Sequence, residues 1–142
     1  MIKPVFTFSV AVALGASAAI AQVPKKPAPS NAAVYFLSPK DGETVTSPFT
    51  VRFGLKGMGI APAGVDQPNT GHHHLLIDLD KLPNLDAALP VTDNIKHFGG
   101  GQTETELTLP PGKHTLQLVV GDYLHIPHDK PIVSAKITIT VK

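Results

Sequence analysis

Phe49-Thr50-Val51-Arg52-Phe53-Gly54-Leu55-Lys56 places Phe, Val, Phe and Leu on one parity and Thr, Arg, Gly and Lys on the other. A repeat of two residues belongs to a strand with one buried face, so this segment is predicted to be a half-buried β-strand. The chain on its N-terminal side reads the same way. Residues 34–37 form a short β-rich run, Ser38-Pro39-Lys40-Asp41-Gly42 is a turn, and residues 43–46 are again β-prone. On its C-terminal side, a loop of Gly, Pro and Asn over residues 57–71 leads into a second alternation. His73, Leu75, Ile77 and Leu79 occupy one parity there, and His72, His74, Leu76 and Asp78 the other. Leu107 and Leu109 follow, Pro110-Pro111-Gly112 turns the chain into His114, Leu116, Leu118 and Val120, and Ile137, Ile139 and Val141 alternate at the end.

No stretch after the N-terminus has the period of a helix. About seven short strands divided by Gly/Pro turns predict an all-β domain, an antiparallel β-sandwich of immunoglobulin type in preference to a barrel. The segment before it is of another kind. Lys3 gives a short positive region, residues 5–20 are apolar or small without charge, and Ala19-Ile20-Ala21 has the small-x-small pattern of a signal-peptidase site. Residues 1–21 are therefore expected to be a cleaved signal peptide, with Gln22 as the new N-terminus and a periplasmic or secreted location for the rest. Residues 22–31, with prolines at 24, 27 and 29 and lysines at 25 and 26, read as a solvated tether. Residues 32–142 then form a single domain.

Charge excludes several partners. Loss of Lys3 with the signal leaves eleven basic against eleven acidic side chains, from 12 Lys+Arg and 11 Asp+Glu. A neutral chain without a basic stripe is a poor binder of nucleic acid or of anionic membrane surface. No second hydrophobic segment follows the signal, so stable membrane insertion is not expected. The chain has no cysteine, which removes disulfides, thiolate metal sites and a lipidated N-terminal cysteine.

The chemistry available is that of histidine. All seven histidines lie between His72 and His128. On a strand, His72 and His74 point to the same side roughly 6.5–7 Å apart, a spacing from which two imidazoles reach one ion. His125 and His128 fall in the loop between the last two strands, at an end of the sandwich where other loops gather. His72, His74, His97, His125 and His128 are accordingly the candidate metal ligands. Imidazoles without thiolate suit copper or zinc and are poor ligands for calcium or magnesium. Met58 is a candidate thioether, and Asp122 and Asp129 are candidates for orienting a ligating imidazole. The parity of His73 and His114 assigns both to packing. Gly99-Gly100-Gly101 is followed by a strand and so reads as a tight turn or close backbone approach, not a phosphate cradle. Glu104 and Glu106 read as edge-strand charges. Neither a nucleophile elbow nor a His-Glu-x-x-His helix is present.

The blocks Gly71-His72-His73-His74-Leu75-Leu76-Ile77-Asp78, His97-Phe98-Gly99-Gly100-Gly101-Gln102-Thr103-Glu104, Leu109-Pro110-Pro111-Gly112-Lys113-His114-Thr115-Leu116 and His125-Ile126-Pro127-His128-Asp129 resemble a family of small exported bacterial proteins classed as a domain of unknown function. The resemblance implies the domain's extent and assigns no activity. Three classes of function stay open at this level. One is a periplasmic copper or zinc carrier or buffer. Another is a redox enzyme with a mononuclear copper or superoxide dismutase-like site, although a histidine brace is disfavoured because cleavage exposes Gln22. The third is a module that binds an envelope protein partner and senses pH through its histidines.

Overall fold

The computed structural model describes residues 22–142, so the signal peptide expected over residues 1–21 lies outside the described residues. Nine strands follow in order: β1 (Ala33–Ser38), β2 (Thr44–Val45), β3 (Phe49–Lys56), β4 (Gly59–Ile60), β5 (Thr70–Ile77), β6 (Ile95–His97), β7 (Glu104–Leu107), β8 (Gly112–Gly121) and β9 (Ile137–Val141). They make two sheets, one ordered β1-β3-β7 and the other β2-β9-β8-β5-β4, with β6 also paired to β5. Among the described residues there is no helix, and hence none long and apolar enough to cross a membrane.

The alternating octapeptide is β3, the centre of the smaller sheet. It pairs antiparallel with β1, Phe36 opposite Phe53, and with β7, Phe49 opposite Leu107. Phe49, Val51 and Phe53 are buried while Thr50 and Arg52 face water, as the period of two requires. Gly54 keeps that outward face closed in a different way: the Tyr35 ring lies over it so tightly that a Cβ there would sit 2.2 Å from Tyr35 Cε2. From the larger sheet Leu75, Ile77, Leu116, Leu118, Val120 and Ile139 meet Val34, Val51, Phe53 and Leu107 in one core. Each such side chain, fully buried, contributes roughly 1.5–3 kcal/mol relative to exposure.

The all-β, two-sheet expectation holds, and every pairing between strands longer than two residues is antiparallel. The strand count is nine instead of about seven. The additional elements are short: β4, a two-residue parallel partner of β5 within the presumed 57–71 loop, and β6, three residues long. Parallel pairing also ties β2 to β9.

Strand β5 departs from the one-faced pattern. Leu75 and Ile77 enter the main core, but Leu76 on the opposite parity is also buried, in a second cluster with Leu89, Ile95 and Val119. Two connections cover that outer face, residues 78–94 and 122–136, joined where Leu89 N–H donates to the His125 carbonyl at 2.8 Å. The first residues also pack more closely than a solvated tether would. Lys25 Nζ bonds the Leu85 carbonyl and Asp86, Asp129 N–H donates to the Lys26 carbonyl, and Asp129 Oδ1 accepts the Ala28 N–H. Extended proline-rich chain leaves its carbonyls and remaining N–H groups unpaired, and the 122–136 connection supplies partners for them. From Lys25 onward the tether is a strap on the domain.

Candidate metal centre

Four of the five candidate histidines converge. His72 and His74 lie two residues apart on β5, both with no exposed surface. His97 on β6 is the direct cross-strand partner of His74. His125 arrives from the 122–136 connection. One ligand atom from each of the four lies within 4.8 Å of all the others. Ring centroids are 4.8 Å apart for His72 and His74, 4.6 Å for His97 and His125, and 5.0 Å for His72 and either His97 or His125.

Local sequence explains how each ring is placed. The β5 pleat sends His72 and His74 to the outer face, where Gly121 on β8 lies opposite His72. A Cβ on Gly121 would stand 2.9 Å from His74 Cε1 and 3.1 Å from His125 Cα, so the absent side chain makes room for both. Gly99 does the same for His97, whose Cε1 and Nε2 would be 2.3 and 2.5 Å from a Cβ. The triple-glycine stretch is thus a turn with a close approach, and Gly101 at φ +81° closes it. His125 sits at φ 65°, a left-handed conformation uncommon for a residue with a side chain. Asp122 holds it there: Oδ1 accepts the Leu124 and Ile126 N–H groups at 2.8 and 2.9 Å, and the Asp122 carbonyl accepts the His125 N–H.

The cluster is short of hydrogen bonds. His72 Nε2 and His125 Nδ1 share one of 3.1 Å, either nitrogen serving as donor. His72 Nδ1, both nitrogens of His74 and His97 Nε2 are buried without a partner. Among the described residues, every buried side-chain nitrogen or oxygen in that condition belongs to a histidine. Buried polar groups are ordinarily paired, and each orphan costs about 1–3 kcal/mol. Burial, reinforced by His125 and His97, pushes the His72 pKa down to about 4, and burial with the neighbouring imidazoles takes His74 to about 3. His97 is lowered by burial and by His125. These rings are neutral at pH 7, with lone pairs free to bind a cation. A tetrahedral ion with nitrogens at ~2.0–2.1 Å needs donors ~3.3 Å apart, so the set fits one ion after modest contraction.

His128, expected with the other four, is not in the cluster. The chain turns at His125, Gly121 bridges Pro127, and His128 emerges on the far side of the connection, buried near Thr70 and Asp122. Two histidines three apart in a loop carry no periodicity from which that divergence could be read. Asp122 and Asp129 also differ from expectation. Their hydrogen bonds go to backbone N–H groups, which position the loop and the strap, and not to an imidazole. Met58 packs on the main core. His73 faces that core with its ring 5.0 Å from Phe53, and burial holds its pKa near 4. His114 is satisfied elsewhere, Nδ1 2.7 Å from Asp78 Oδ2 and Nε2 2.8 Å from the Pro110 carbonyl. Sequence reading missed Gly99 and Gly121 as the positions that admit the rings, since a glycine's spatial neighbours are not encoded in its own position.

No curated protein is a significant match to the chain. A solved structure, the endo-beta-1,4-mannanase from Thermotoga petrophila, aligns with 79% of this chain at 19% identity and a TM-score of 0.46, and the chain spans 20% of that structure. A family described as "Domain of unknown function (DUF4399)" matches residues 51–142, which include β3 from Val51 onward, all four clustered histidines and both glycines beside them. The chain belongs to that family.

Proposed function

We propose that this is an exported metal-binding protein that holds one copper or zinc ion on His72, His74, His97 and His125 and serves as a carrier or buffer in the periplasm. The observation that carries the reading is the convergence of four imidazoles, three of which, His72, His74 and His97, have buried nitrogens that lack protein partners. Such a set is costly in an apo protein and is relieved by a cation that accepts the lone pairs. The donor type favours copper or zinc over calcium or magnesium. Export is supported by the signal-like residues 1–21 and by a ligand set built without thiols.

Two strand-borne ligands are fully enclosed while His97 and His125 are partly exposed, which favours entry and exit of the ion on their side. The same exposure supports a second reading, a redox centre whose open side admits a small molecule. The pH-sensing reading is weakened for the buried pair, because a switch between pH 5 and 8 needs a pKa in that range and His72 and His74 lie below it.

The test is calorimetric titration of Cu(II) and Zn(II) into tag-free, chelator-treated protein comprising residues 22–142, beside a His72→Ala/His74→Ala variant. Binding at one equivalent that the double variant loses is the expected result. Affinity equal in the two proteins would refute the site. With copper bound, a spectral shift on adding azide distinguishes the redox centre from a closed carrier site.

A further inference from the structure

His128 is 1% exposed, and its Nδ1 is buried without a hydrogen-bond partner. The Thr70 backbone lies beside the ring, and in a neutral imidazole protonated on Nε2 the unpaired Nδ1 is an acceptor. That ring belongs to the wall of a cavity of about 190 Å³ between the strap, the residues before β5 and the 122–136 connection. Asp122, 3% exposed, lies in the same wall, and its two backbone bonds both use Oδ1. The Tyr123 ring forms another side, with Val65 and Pro68 adding apolar surface.

An acceptor nitrogen, a carboxylate and an aromatic face in one small cavity are the complement of an organic ammonium. The N–H groups bond the imidazole and carboxylate, and the positive charge rests on the ring. The protein supplies an internal example. Lys26 of the strap carries its Nζ 5.3 Å from the Tyr123 ring centroid and 2.8 Å from Asp66 Oδ1, both also lining the cavity. We infer that this cavity binds a small primary ammonium compound, which displaces Lys26 from Tyr123 and donates to His128 and Asp122. The site is separate from the four-histidine cluster, and its existence does not depend on that cluster holding a metal.

The experiment uses residues 22–142 kept in chelator, titrated with n-butylammonium, tetramethylammonium and neutral n-butanol and followed by 15N NMR of the imidazoles. Butylammonium is expected to move the His128 Nδ1 resonance and to bind at least tenfold more tightly than butanol. Lys26→Met, which removes the internal competitor, should tighten butylammonium binding. His128→Phe keeps the ring's volume without the acceptor and should weaken butylammonium by about tenfold, the effect of one charge-assisted hydrogen bond. Tetramethylammonium has no N–H and should be little affected by that change. An unmoved His128 resonance in the wild-type protein, or equal affinity for butylammonium and butanol in the Lys26→Met protein, overturns the proposal. The wild-type resonance decides the matter even if His128→Phe fails to fold.

Discussion

Gly99 and Gly121 both stand against clustered imidazoles, but what lies in front of each differs. At Gly99 the severe obstruction is the His97 ring, the far end of a side chain that can rotate, with Ala63 Cβ a milder one at 3.3 Å. Gly99→Ala should change apo stability by less than about 1 kcal/mol and weaken metal binding by roughly 10–100-fold by displacing one donor. At Gly121 a methyl group also meets the His125 backbone at 3.1–3.2 Å. Gly121→Ala should cost about 1–3 kcal/mol of apo stability as well as affinity, and urea denaturation beside calorimetry separates the two variants. His114 offers a test with a pH signature. Its hydrogen bond to Asp78 is the largest cause that raises its pKa above 6.5. A group with a raised folded pKa stabilises fully below its unfolded pKa and loses that stabilisation as pH rises through the folded value. The stability deficit of His114→Gln should therefore be larger at pH 5.5 than at pH 9, measured as paired denaturation midpoints at each pH.

The elements that carry the cluster differ in how firmly they hold it. Strand β5 lies between β8 and the short β4 and β6 strands, so His72 and His74 have little freedom. His125 depends on a turn whose left-handed residue is held by the Asp122 carboxylate. Asp122→Ala leaves the Leu124 and Ile126 N–H groups without that acceptor, at about 1–3 kcal/mol for each amide that stays buried and unpaired. The turn should then release His125, and copper EPR should report three nitrogen ligands instead of four. Asp122→Asn retains Oδ1 and should restore the fourth nitrogen and most of the stability. Alternation made β3, β5, β8 and β9 legible in the sequence because each is long enough to repeat. Strands β4 and β6, two and three residues long, contain too few positions to express a period, yet β6 supplies His97.

At the scale of the molecule, a ligand that binds only the folded chain stabilises the whole domain by mass action. Free metal at a hundredfold excess over its Kd should add about 2.7 kcal/mol. For a domain of this size that raises Tm by on the order of 10 °C, and the His72→Ala/His74→Ala protein should show no such rise. Removing the metal with chelator should return the wild-type melting curve to its apo position. The sequence by itself determined the all-β class, the main core and the outward parity shared by His72 and His74, because side-chain alternation is a local property of extended backbone. It also marked histidine as the available ligand. Tertiary structure alone decided which histidines meet. Cross-strand register set His97 opposite His74, a left-handed turn delivered His125, and the same connection carried His128 away to a different cavity. Those placements depend on contacts between residues distant in sequence, with Gly121 leaving space for one of them and Asp122 holding its backbone, and no single segment contains that information.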